Sequence, residues 1–118
     1  MSNFNNHVSI CISGQKNILE LTFQNFSHFK DFKCDFNSEV IVLRYSGEII
    51  EFEEKINFII HFIDEEKDYF KSFIEMGLSL KIYCSIFSTD SRQFGFDLDS
   101  YQLEILNKIK FGFSVDFW

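Results

Sequence analysis

Residues 51–63 read EFEEKINFIIHFI, and the periodicity of this stretch decides the fold. Phe52, Ile56, Ile59, Ile60 and Ile63 fall at i, i+4, i+7, i+8 and i+11, which is one face of a helix. Glu51, Glu53 and Glu54 stand at its start, where carboxylates favour the positive end of the helix dipole. A strand is the competing reading, because residues 56–63 are dense in β-branched and aromatic side chains. A helix over 52–63, set between strand-like segments on both sides, makes the chain α+β.

Downstream, Asp64 reads as the N-cap of a second helix over 64–76. Tyr69, Phe70, Phe73 and Ile74 form its apolar stripe, and Gly77 ends it as a C′ glycine. Leu78, Leu80, Ile82, Cys84 and Ile86 then alternate with polar or outward positions, the pattern of a strand. Residues 88–95 form a polar loop. Asp99, with Gln102 three residues on, opens a third helix over 99–111 as a capping-box variant. Its inner face is Ile105, Leu106 and Ile109, and Gly112 is read as its C′ residue. Phe113, Val115 and Phe117 alternate with Ser114 and Asp116 in a last strand that runs to Trp118. When Gly77 is laid on Gly112, Phe70 matches Ile105 and Ile74 matches Ile109. Two helix–glycine–strand units in series suggest helices on one face of a sheet, and the helix between the last two strands admits their pairing in parallel through a right-handed crossover.

Upstream, Val8, Ile10 and Ile12 alternate with His7, Ser9, Cys11 and Ser13, which predicts a half-buried strand stopped at Gly14. Residues 39–45, EVIVLRY, form a second clear strand that stops at Ser46-Gly47. Residues 15–37 are the least readable part. Residues 18–23 admit another strand, and Phe26, Phe29 and Phe32, three apart, admit a short helix or an ordered loop. The expected architecture is one α+β domain over 1–118, in two layers. A mostly antiparallel sheet of four to five strands carries two or three helices on one face.

The chain has 118 residues, enough for one core without staples, and that core is to be built from its 17 Phe and its isoleucines. Alanine and proline are absent. Codons of an AT-rich genome favour such a composition, so it carries no functional reading. No apolar run is long enough for a membrane helix, and the N-terminus lacks the basic and apolar regions of a signal peptide. Three cysteines with no close pair argue against a disulfide framework. These features lead us to expect a cytoplasmic protein with reduced thiols.

Charge is distributed unevenly. The net charge is −7, and residues 1–47 contribute none of it. Residues 48–68 alone hold eight acids against two lysines. This balance favours a basic partner over nucleic acid or an anionic membrane, which would be repelled. The candidate partner-binding set is Glu51, Glu53, Glu54, Asp64, Glu65, Glu66 and Asp68, with Phe58 and Phe62. The acidic subclusters flank one helix and lie roughly 18 Å apart, within one side of a protein interface. Phe58 and Phe62 lie off the Ile56/Ile63 direction; they either bury against the following helix or form an apolar centre beside the acids. The plainer reading of the acids is a solvated face with helix-start carboxylates.

Signatures of chemistry are missing. His7, His28 and His61 are isolated, and no zinc, EF-hand, P-loop, dinucleotide or nucleophile-elbow pattern occurs. Asp90, Asp97 and Asp99 add a loop set of carboxylates. Cys84 has the inward parity of Leu80 and Ile82, whereas Cys11 has the outward one. The expectation is a protein that is not an enzyme and needs no metal or other cofactor.

Residues 51–118 resemble a bacterial family known as domain of unknown function 4279. The resemblance is carried by Glu51-Phe52-Glu53-Glu54-Lys55-Ile56, the helix leading to Gly77, the strand holding Tyr83-Cys84, Leu98-Asp99 before a helix ending near Gly112, and a closing strand with Asp116 and an aromatic. Residues 1–47 fall outside it. Small members of that family look like proteins of toxin–immunity neighbourhoods. The resemblance therefore implies an immunity protein that occludes a cognate, basic toxin domain. The alternative is a small cytosolic binding domain or homodimer that antagonises no toxin.

Overall fold

The computed structural model describes residues 4–23, 29–37, 39–88 and 96–117. Its central strand, β1 (Phe4–Ser13), is paired along both edges. On one side runs β3 (Val40–Tyr45), antiparallel, with Ile10 opposite Leu43 and Ile12 opposite Ile41. On the other runs β4 (Ser79–Ser88), also antiparallel, with Val8 opposite Cys84 and Ile10 opposite Ile82. β2 (Phe32–Phe36) extends the sheet antiparallel to β3, and β5 (Phe111–Phe117) closes it parallel to β4, giving the order β2-β3-β1-β4-β5. The sheet is thus mostly antiparallel and the molecule is α+β, as the alternating segments predict.

Among the described residues, four helices accompany the sheet: α1 (Lys16–Phe23), α2 (Phe52–Glu65), α3 (Lys67–Glu75) and α4 (Ser100–Ile109). The five apolar residues that define the period of α2 are all buried, which settles that segment as helix. They meet Val8, Ile10 and Ile12 of β1, Ile82, Cys84 and Ile86 of β4, and Phe70 of α3 in one core. β4 and β5 are parallel neighbours joined through α4, the expected crossover unit.

Three local expectations are corrected. Residues 18–23 belong to a helix rather than a strand, which raises the helix count above two or three. Leu19 and Thr22 are buried one turn apart, and the Thr22 hydroxyl donates to the Ile18 carbonyl at 2.8 Å, so this β-branched residue is satisfied within a helix. Asp64 does not cap the next helix. It lies in the last turn of α2, and Glu66 joins α2 to α3 without a side-chain cap. Gly112 is not a C′ residue either: Lys110 takes the left-handed conformation after α4 (φ 64°), and Gly112 lies inside β5 opposite Lys81. The earlier stop lets Phe111 enter the sheet opposite Leu80 and become buried. Phe26, residues 89–95 and Trp118 lie outside the described residues.

Two other boundaries match their signals. Gly77 has φ 88°, with its N–H on the Ile74 carbonyl and the Leu78 N–H on the Phe73 carbonyl, a Schellman closure of α3. Asp99 accepts from the Gln102 N–H at 2.8 Å while the Gln102 side chain accepts from the Asp99 N–H at 3.0 Å, a complete capping box.

The two glycines that look equivalent in the sequence should respond oppositely to alanine. Gly77→Ala forces a Cβ into a left-handed conformation and should lower stability by about 1 kcal/mol. In Gly112→Ala the new Cβ would meet Lys81 Cγ at 3.6 Å, an ordinary contact, so this change should be neutral or stabilising by up to about 1 kcal/mol. Urea denaturation of both variants checks the pair; equal losses would contradict the assignment of Gly112 to β5.

Candidate functional site

The acids of 48–68 are sorted by the periodicity of α2. Glu53 and Glu54 stand in its first turn and are exposed, while Phe52 and Ile56 beside them point into the core. Glu53, Asn57, His61 and Asp64 recur at i, i+4, i+8 and i+11, so they share the side of α2 that faces α4. Phe58 and Phe62 turn instead toward β2 and β3. The Phe62 ring centre is 4.8 Å from that of Phe32 and 5.1 Å from that of Phe29, and Phe58 is 5.2 Å from Tyr45. Both are half-buried in this aromatic cluster, and Phe62 also meets Phe70 of α3, the following helix. The two rings therefore lie apart from the seam between α2 and α4.

At one end of that seam is an open cleft of about 400 Å³. Glu53 and Glu54 of α2 line it together with Asp97 and Asp99, which precede α4. Phe96 supplies apolar surface, and it is held against Phe52 (4.9 Å) and Phe113 (5.8 Å). Further along, Tyr101 of α4 donates its O–H to Asp64 Oδ2 at 2.7 Å and stacks beside His61 at 5.4 Å. Asp64 is thereby joined to the same seam as Glu53. Glu65, Glu66 and Asp68 lie at the α2–α3 junction, and Glu51 precedes α2 outside the cleft lining. Among the described residues, none of these carboxylates is paired with a lysine or arginine.

The sequence singles out Glu53, Glu54 and Asp64 as partner-binding candidates but does not bring them together with Asp97 and Asp99. Asp97 and Asp99 read only as a loop set and a cap, and Tyr101 and Gln102 drew no functional reading. Nothing in the local pattern records that α4 lies beside α2; that is a property of the crossover.

The titratable groups set limits on the chemistry. Burial pushes the Cys84 thiol up to about 12 and the Cys34 thiol up to about 11, the latter with help from Asp35. Burial also raises Cys11, against an opposing effect of Lys81. A nucleophilic thiol needs the reverse shift. Lys55 is lowered by burial where its ammonium donates to the Asn6 carbonyl at 3.0 Å. Among the described residues, no three His, Cys, Asp or Glu side chains are grouped to hold a metal ion.

The hydrogen bond to Asp64 raises the Tyr101 phenol above its ordinary value of 10.0, since it stabilises the protonated form. The stability this bond contributes is complete below the unfolded pKa and is lost as the pH rises through the higher folded value. Titration of the Tyr101 ring followed by NMR should give a midpoint above 10.0 in the native chain, and Asp64→Ala should bring it back toward 10.0. An unchanged midpoint in the variant would mean that the α2–α4 seam is not closed by this bond.

Compared with models of known protein families, with characterised proteins and with solved structures, the chain matches none. The resemblance of residues 51–118 stands on its quoted residues alone.

Proposed function

We propose that this chain is a non-catalytic binding protein that takes a basic protein partner on the α2–α4 seam, and that the partner is a toxin domain which it neutralises by occlusion. The observation that carries the reading is the meeting of Glu53 and Glu54 with Asp97 and Asp99 around one open cleft. A lysine or arginine side chain fits such a place. Its aliphatic stem packs on Phe96, and its head meets several carboxylates at once. Asp64 at the far end of the seam, and Glu65, Glu66 and Asp68 beyond it, extend the negative field and steer a cationic surface toward the cleft. The immunity role rests on the family resemblance together with this acidity.

The test is co-expression with the product of the adjoining gene, followed by association kinetics at low and high salt. Complex formation is expected, with an association rate that falls steeply as salt screens the field. Glu53→Lys with Glu54→Lys should slow association roughly tenfold or more, and Glu65→Lys with Glu66→Lys and Asp68→Lys by a smaller factor. Exposed charges contribute only about 0–1 kcal/mol each to stability, so both variants should fold. Association unaffected by either reversal would contradict the seam as the binding face. A neighbouring product that is not a toxin and does not bind would favour the small binding domain or homodimer.

A further inference from the structure

The side of the sheet opposite the core carries a second concavity, and its origin lies in side-chain length. Outward from β1 point Ser9 and Cys11, both small, in the middle of the sheet. Their cross-strand neighbours are longer: Arg44 and Tyr83 flank Ser9, while Val42 and Lys81 flank Cys11. Directly opposed side chains in a sheet start only about 5 Å apart, so short residues between long ones leave a trough. This one measures about 450 Å³, runs along β1 from Cys11 to His7, and is completed by Ser85. Its size lies within the range of small-molecule sites.

The chain has a net charge of −7, yet among the described residues no carboxylate lines this trough, and Arg44 does. The Lys81 ammonium sits 5.7 Å from the Tyr83 ring centre, at the same wall. The carboxylates on this face, Asp35 on β2 and Asp116 on β5, stand on the edge strands, and Asp116 is held by the Tyr83 O–H. Ser9 adds an independent sign. It is only 7% exposed, it lines the trough, and among the described residues its hydroxyl has no hydrogen-bond partner. The Ser9 hydroxyl opens onto the trough, where it offers a donor and an acceptor to a ligand. The apolar surface around it comes from Val42, Cys11 and the Tyr83 ring.

We propose that this trough binds a small organic anion, with its carboxylate or phosphate on the Arg44 guanidinium and the Ser9 hydroxyl and its apolar body along Val42 and Tyr83. The site is separate from the α2–α4 seam and does not depend on the partner assigned there. A guanidinium offers two parallel donors to either headgroup, so carboxylate and phosphate share one recognition chemistry.

The experiment is a ¹H–¹⁵N NMR titration of the full chain with benzoate and, separately, phenyl phosphate. Benzyl alcohol serves as the neutral counterpart. Saturable shifts are expected at the amides of Ser9, Cys11, Arg44 and Tyr83, with a Kd at or below about 1 mM for at least one anion. The anion that binds more tightly identifies the headgroup. Arg44→Gln should weaken binding roughly tenfold or more, and Ser9→Ala roughly two- to tenfold. Both positions change only outward side chains, so a spectrum that keeps its native dispersion verifies the fold in each variant. The proposal is overturned if neither anion saturates, if benzyl alcohol shifts the same amides as strongly, if Arg44→Gln binds as tightly as the native chain, or if the shifts centre on Glu53 and Asp97.

Discussion

Ile10 lies between Leu43 and Ile82 in the middle of the sheet, and none of the three is exposed. The contact fixes the register of β1 against both neighbours at once. A slip of one residue would turn Val8, Ile10 and Ile12 to the outside and put Ser9 and Cys11 into the core. Each exposed aliphatic side chain would cost about 1.5–3 kcal/mol, and the inward Ser9 hydroxyl would lose water with nothing in return. The same alternation that builds the core also sets short side chains along the outer floor. The trough beside Arg44 and Tyr83 is thus a consequence of the register.

The helices depend on that inner face. α2 lays its five apolar residues against it, which leaves Glu53, Glu54 and Asp64 on the side that α4 approaches. The parallel crossover from β4 to β5 brings Asp97 and Asp99 to the start of α2. Carboxylates gather along the helical seam, while Arg44 and Lys81 stand on the sheet face. The carboxylate-lined cleft and the trough beside Arg44 are thus held apart by one hydrophobic core.

Local signals in the sequence were legible where one residue decides one conformation. The five-residue period of α2, the Asp99–Gln102 box, the left-handed Gly77 and the parities of Cys84 and Cys11 all follow from neighbours within four positions. α1 was not legible because its eight residues hold Ile, Thr and Phe, whose intrinsic preference is for strands, and only packing of Leu19 and Thr22 makes them helical. Asp64 looks like a cap because a run of acids offers several such positions, whereas its carboxylate accepts from Tyr101, thirty-seven residues away. Gly112 was misread because Lys110 accepts the left-handed turn itself. The cleft was invisible as a unit, since its walls come from two segments that only the crossover brings together.

Native-state hydrogen exchange measures the dependence on β1 most directly. If its register holds the rest in place, the amides of Val8, Ile10 and Ile12, with their partners on β3 and β4, should exchange only through global unfolding, with the free energy measured by denaturant. The helix ends, β2 and β5 should open at lower cost. Exchange of the central β1 amides through a low-energy local opening, while α2 and α4 stay protected, would show that the helices hold the sheet together and would contradict the account.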